Sequence, residues 1–354
     1  MRAVRAWLLT LWLLVMLMVM IGGITRLTGS GLSITEWKPV SGALPPIGET
    51  AWQAAFAAYR HSPQFLHQNS WMTLADFQRI YFWEFVHRSF GRALGLVFVL
   101  PWLYFVWRRK MSREVARRTF SVLVLGGLQG AVGWFMVKSG LVNEPRVSHY
   151  RLALHLLLGV GVGQWILWQA LDLLAPRSTA FASPAPTRRS VVALLPLLLL
   201  QLIYGAFMAG TRAGYVAATF PDMNGHYAPQ LFFTSGSFFF DVFNNPLSIH
   251  YVHRLIGLIV LGYVLALAIA LRRQRIEVRA ASYLLLAATL GQIALGAMTV
   301  LLRMPIPVAV AHQAGAYVLC ASALLLLHAV LGAAPAPAAD GGEASASIAL
   351  PSAR

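Results

Sequence analysis

Long apolar stretches alternate with short polar connections along most of the chain. Eight of them approach or exceed the length a helix needs to cross a hydrocarbon core: 7–25, 87–107, 120–138, 151–173, 190–210, 251–271, 281–302 and 308–331. The even-numbered runs open on polar residues. The first begins after only Arg2 and Arg5. It continues into Gly22-Gly23-Ile24-Thr25-Arg26 without a small-residue cleavage site, so it reads as a span rather than a removable leader. Between the first two spans, Glu49–Tyr59 and Leu74–Phe82 space apolar residues as amphipathic helices do. They are expected to be short helices on the outer surface, where Trp and Tyr suit the interface. The tail from Ala333, rich in Ala, Pro, Gly and Ser, reads as disordered.

Composition sharpens this picture. Only 11% of the 354 residues are charged, whereas a soluble domain carries about 25%, so the surface must face lipid. The net charge of +16 suggests nucleic acid, but the cations crowd alternate connections, where they set topology. Arg108, Arg109, Lys110, Arg113, Arg117 and Arg118 lie in one; Arg177, Arg188 and Arg189 in another; Arg272, Arg273, Arg275 and Arg279 in a third. No nucleic-acid partner is expected. The termini and basic connections are placed in the cytoplasm, and loops 26–86 and 211–250 outside. The single cysteine, Cys320, falls in the last span. It excludes an intrachain disulfide, a cysteine metal site and a dithiol relay, and its expected role is packing.

The chain repeats itself, which takes precedence over local signals. Phe85-Val86-His87-Arg88-Ser89-Phe90-Gly91 resembles Tyr251-Val252-His253-Arg254-Leu255-Ile256-Gly257. Gln129 and Gly133 match Gln292 and Gly296, Leu154-His155 matches Ala311-His312, and Thr25-Arg26 matches Thr211-Arg212. The expected fold is therefore an all-α integral membrane protein of eight transmembrane helices in two repeated four-helix bundles. Residues 1–173 form the first bundle with a long external loop, 174–189 a cytoplasmic linker, 190–332 the second bundle, and 333–354 the tail.

His87, His155, His253 and His312 each lie in the first turns of an even-numbered span, so all four sit near the external face. A bundle interior is where facing helices build cofactor sites, and two neutral imidazoles can take both axial positions of a heme iron. Arg88 and Arg254 follow two of the histidines, and Arg26 and Arg212 end the preceding spans; these cations can pair with heme carboxylates. A lone helix histidine ordinarily just hydrogen-bonds its neighbours, but four at one depth argue for ligation, since ionisable groups inside spans are functional by default. Zinc fits less well, because no carboxylate or cysteine completes its tetrahedron. His149 and His250 lie close to the ligand positions, His61, His67 and His226 fall in loops, and His328 falls at the opposite membrane face. The halves differ where Glu84 stands in one and His250 in the other. Glu84 can accept a proton or stabilise a developing cation; equally, it can pair with Arg88 or Arg26, or favour the helix N-terminus.

These motifs resemble the heme A synthase family. The resemblance rests on Gly23-Ile24-Thr25-Arg26-Leu27-Thr28-Gly29-Ser30-Gly31-Leu32-Ser33, Trp37-Lys38-Pro39, Glu84-Phe85-Val86-His87-Arg88, Tyr150-Arg151-Leu152-Ala153-Leu154-His155, His253-Arg254 and Ala311-His312-Gln313, and spans Trp7 to about Leu331. It implies a heme-dependent oxidoreductase that oxidises the C8 methyl of heme O to a formyl group, by successive hydroxylation and loss of water, giving heme A for terminal oxidases. It implies that His87 and His155 bind heme O, that His253 and His312 ligate the iron of heme b, and that Glu84 assists at the oxidised carbon. One branch of the family carries a cysteine pair in an external loop; this chain lacks it and resembles the proteobacterial and mitochondrial branch. His149 stands where the family motif has proline. The implied setting is the bacterial inner membrane, with the heme sites near the periplasmic face. Expected partners are membrane lipid and heme O, with an electron donor or acceptor, the farnesyltransferase that makes heme O and a homo-oligomer left open. The competing readings are a diheme b-type electron-transfer protein, a transporter and a structural assembly factor. The shared face, the absence of midplane sites and the four aligned histidines weigh against these in turn.

Overall fold

The computed structural model describes residues 1–37, 41–141, 145–228 and 234–333. Lys38 and Pro39 of the Trp37-Lys38-Pro39 motif, and the tail beyond Ala333, lie outside the described residues. Eight helices are long and apolar enough to cross a membrane. They are α1 (Arg2–Leu27), α3 (Leu74–Trp107), α4 (Arg113–Ser139), α5 (His149–Leu174), α6 (Ala185–Thr211), α8 (Pro246–Leu271), α9 (Ile276–Leu301) and α10 (Ile306–Val330). Two shorter helices, α2 (Glu49–Arg60) and α7 (Phe238–Asn244), belong to the loops before α3 and α8. Among the described residues β-structure is limited to the isolated bridges Arg177–Ala333 and Met223–His226.

Each expected span falls within one helix, apart from one residue at the ends of the last two. The expected surface helix at Leu74–Phe82 is not separate. Thr73 and Asp76 form a reciprocal capping box that starts α3, and no breaker follows before His87, so one helix runs from Leu74 to Trp107. At about 1.5 Å per residue it is far longer than the hydrocarbon core is thick, and its first turns overhang. That overhang and α2 share a small core of Tyr59, Phe65, Phe77 and Ile80. Gln64 ties this cap to the end of α1 through its amide, which donates to the Gly29 carbonyl at 2.9 Å.

The helices form two rings. In one, α1 packs on α3 and α5, and α4 closes the ring between them; in the other, α6 packs on α8 and α10, and α9 closes it. Thus α3 and α5 stand at opposite corners of one ring, as α8 and α10 do in the other. The rings meet through α1 against α10 and α5 against α6, contacts that a twofold rotation would interchange. Across the interface Gln313 donates to the Val19 carbonyl (2.9 Å), the Tyr317 hydroxyl to the Trp12 carbonyl (3.0 Å) and Gln164 Nε2 to the Tyr317 carbonyl (3.0 Å). Helix α6 starts at Ala185, inside the expected linker, because Pro186 suits a first helical turn. The remaining linker is strapped to the end of α10: Ser183 N donates to Val330 O (2.9 Å) and Ser178 N to Gly332 O (2.8 Å). Ala333, expected to open the disordered tail, is buried there.

Candidate functional site

The two histidines of each half come from diagonal helices and face each other across the ring: His87 on α3 toward His155 on α5, and His253 on α8 toward His312 on α10. Within each pair they lie within electrostatic reach. Each imidazole is opposed by a glycine on an adjacent helix. A Cβ at Gly133 would lie 2.8 Å from Cε1 of His155, and one at Gly296 would lie 2.9 Å from Cε1 of His312. Gly22 faces His87 at 3.3 Å, and Gly205 faces His253 at 3.4 Å. Gln129 Nε2 donates to the His155 carbonyl (3.0 Å), as Gln292 Nε2 does to that of His312 (2.9 Å). Gln201 Nε2 lies 3.4 Å from Nε2 of His253. Gly22, Gly205 and Gln201 were not singled out from the sequence; their signal was a small or amide residue one helix away from each histidine.

These contacts reset one correspondence. Gly22 faces His87 and Met18 faces Gly91, while Gly205 faces His253 and Gln201 faces Gly257. The counterpart of Arg26 is therefore Ala209, and the sequence match of Thr25-Arg26 with Thr211-Arg212 is out of step with the helix packing.

Three of the four expected propionate partners are committed elsewhere. Arg88 binds Glu84 through Nε (3.1 Å) and Nη2 (2.6 Å) and the carbonyls of Ile34 (2.9 Å) and Glu36 (3.1 Å). Arg254 donates from Nε to His250 Nε2 (2.9 Å) and from its terminal nitrogens to the carbonyls of Asp222 (2.6 Å) and Thr219 (2.8 Å). Longer contacts to the Pro221 and Ala217 carbonyls use its other donors. Each arginine thus clamps the loop that follows α1 or α6. Arg26 reaches across the interface to the Ala209 carbonyl (3.0 Å). Arg212 is exposed, in the left-handed conformation that ends α6.

Glu84 is 2% exposed. Beyond Arg88, its Oε2 accepts from the Ser33 hydroxyl (2.7 Å) and the Ile34 amide (2.8 Å). Removing one partner of such a buried charge would leave the other uncompensated. The expected pairing with Arg88 is present; Arg26 does not take part. His149 turns away from the site, with Nε2 3.0 Å from the Phe243 carbonyl, and His250 is held by Arg254. His61, His67 and His226 are exposed. His328 pairs with Asp172 at 3.2 Å at the opposite end of the bundle.

The donor set can be tested against a heme. Nδ1 of His155, His253 and His312 is buried without a hydrogen-bond partner, as is Nδ1 of His250 one turn before His253, a state that needs an explanation. Two imidazoles facing across a bundle, each seated against a glycine, are residues that would hold a heme. The residues fit the group.

Fold and site define a polytopic helical membrane protein with a duplicated pair of facing imidazoles. The chain matches the cytochrome oxidase assembly protein family (COX15-CtaA) over residues 5–324 and belongs to it. It is 40% identical over 327 residues to the heme A synthase of Wolbachia pipientis, covering 92% of both chains. It is 42% identical over 331 residues to that of Parvibaculum lavamentivorans, covering 92% of this chain and 94% of the relative. The heme A synthase of Cereibacter sphaeroides is 42% identical over 343 residues, covering 93% and 87% respectively.

Proposed function

We propose that this chain is a heme A synthase: it takes heme O from the membrane and oxidises the C8 methyl to a formyl group, by successive hydroxylation and loss of water. The observation that supports this reading most strongly is the pair of facing imidazoles in each half, in a chain so similar over its length to proteins of that name. His87 and His155 hold heme O in the first half, 1–173. His253 and His312 would hold heme b in the second, 190–332, where it would supply a one-electron redox centre.

The remaining groups act on position and protons. Gly22, Gly133, Gly205 and Gly296 leave room for the imidazoles themselves, which seat against their Cα atoms. Gln129 and Gln292 fix the backbone turns that carry His155 and His312. Glu84, one turn before His87, is the proton acceptor for the oxidised carbon, and the Ser33 hydroxyl, which donates to its Oε2, holds the carboxylate in place. Arg88 and Arg254 serve the hemes through the loops they clamp, rather than by pairing directly with propionates. The basic connections and termini are cytoplasmic, and the histidines lie near the periplasmic face of the inner membrane. The farnesyltransferase that produces heme O is the partner expected to deliver so hydrophobic a substrate; an electron donor or acceptor and further copies of the chain complete the set of proposed partners.

The test is chromatography of the hemes extracted from protein produced with a heme O supply. Heme b together with heme O, a hydroxylated heme or heme A is expected. Heme b alone, at two per chain, would replace this reading with a diheme electron-transfer protein.

A further inference from the structure

The face opposite the histidines gathers most of the basic connections, and some of their arginines are paired. Arg117 and Arg118 pair with Glu114 at 2.7 Å each, and Arg177 pairs with Asp172 at 2.9 Å. The side chains of Arg188 and Arg189, in the first turn or so of α6, have no hydrogen-bond or ion-pair partner among the described residues, and Nε of Arg188 is buried without an acceptor. A buried donor left unsatisfied is costly.

Both arginines line a recess of about 440 Å³ together with Ala185, Val192, Ala193 and Leu331. No acidic residue is among them. The wall at Leu331 is fixed, because the linker is hydrogen-bonded to Val330 and Gly332 and Arg275 Nη2 donates to the Ala329 carbonyl at 3.0 Å. One turn deeper, Val192 is 47% exposed, so the apolar wall continues onto the side of α6 that faces lipid. A cationic rim at the membrane boundary above an apolar wall matches one molecule of opposite polarity at its two ends. Basic pockets between helices on the positively charged face are where acidic lipid headgroups bind.

We propose that Arg188 and Arg189 hold the phosphate headgroup of an anionic phospholipid, with an acyl chain lying along Val192 toward the membrane interior. The site lies at the far end of the bundle from the histidines and does not depend on the function proposed for them. Arg117, Arg118 and Arg177 line a second recess, but their charge is already met by Glu114 and Asp172, so they serve as an internal comparison.

The experiment is native mass spectrometry of the full-length protein in detergent, titrated with phosphatidylglycerol, with phosphatidylcholine, and with inorganic phosphate. Selective retention of phosphatidylglycerol is expected. Arg188→Gln with Arg189→Gln should weaken that retention about thirtyfold, while Arg117→Gln with Arg118→Gln should change it less than about threefold. Heme content and the unfolding midpoint, measured on the same samples, establish that the variants are folded; if the double variant unfolds, Arg189→Gln alone should still weaken retention several-fold. Retention unchanged by loss of both arginines, or equal retention of the two lipids, overturns the proposal. Binding of inorganic phosphate without retention of the lipid also overturns it, in favour of a free anion.

Discussion

Glu84 and His250 occupy the same position in the two halves, each one turn before a site histidine and each bound by the next arginine on its helix. Arg88 Nη2 meets Glu84 Oε1 at 2.6 Å, and Arg254 Nε meets His250 Nε2 at 2.9 Å. The same clamp therefore holds a carboxylate in one half and an imidazole in the other. An anion beside only one of two matching sites is the asymmetry expected when one site does chemistry and the other does not.

Glu84→Gln keeps the size of the side chain and removes its charge. Heme b content should stay at the wild-type level while conversion of heme O falls by about 10²–10⁴-fold, the usual weight of a positioned proton acceptor. Chromatography of extracted hemes reads both. Normal output of heme A would leave Glu84 only as the anchor of the loop at Ser33 and Ile34.

The histidine pairs should separate cleanly. His253→Ala or His312→Ala should abolish the b-type absorption spectrum, with affinity down by more than about 100-fold, since even outer groups around a metal are worth 10–100-fold. His87→Ala or His155→Ala should retain that spectrum and lose bound heme O. A b-type spectrum that survives removal of His253 and disappears with His87 would reverse the assignment of the halves.

The glycines opposite the imidazoles offer a gentler probe. Gly296→Ala places a methyl 2.9 Å from Cε1 of His312, closer than real contacts allow. The ring must shift, and overpacking of this kind costs roughly 1–3 kcal/mol, so heme b retention should drop about tenfold. Gly133→Ala should act on the first half alone. The heme-to-protein ratio after a dilution chase distinguishes the two.

Arg254→Gln tests whether this arginine clamps a loop or binds a propionate. Losing the hydrogen bonds to His250, Thr219 and Asp222 should destabilise the protein by roughly 3 kcal/mol and open the loop between α6 and α7 to protease. A shifted heme b potential with unchanged proteolysis would instead point to direct contact with the cofactor.

Hydropathy located all eight spans because lipid imposes a long, unbroken signal. The repeat located the four histidines because each sits at the same place in a duplicated helix. The overhang of α3 was hidden: amphipathic spacing at Leu74–Phe82 says that one face is covered, not that the helix stops before His87. The partners of the arginines were hidden for a different reason. A guanidinium within a few ångströms of both loop carbonyls and a cofactor pocket has the same sequence signature in either role, and only the folded path of residues 34–36 and 217–222 decides. The match of Arg26 with Arg212 failed because two similar dipeptides ended two spans, whereas helix packing is set by the residues facing His87 and His253.

Arg26 donates to the carbonyl of Ala209, its own counterpart, and residues that meet their counterparts lie beside the axis of rotation. In a dimer of identical chains, an interface residue and its mate must be the same amino acid. An arginine at this place would then confront a second arginine, two like charges sharing a site within the membrane. Joining both copies in one chain removes that obligation: one copy keeps the cation and the other presents a carbonyl to receive it. A chain that carries both halves can place a cation at one of two matched positions and leave the other uncharged.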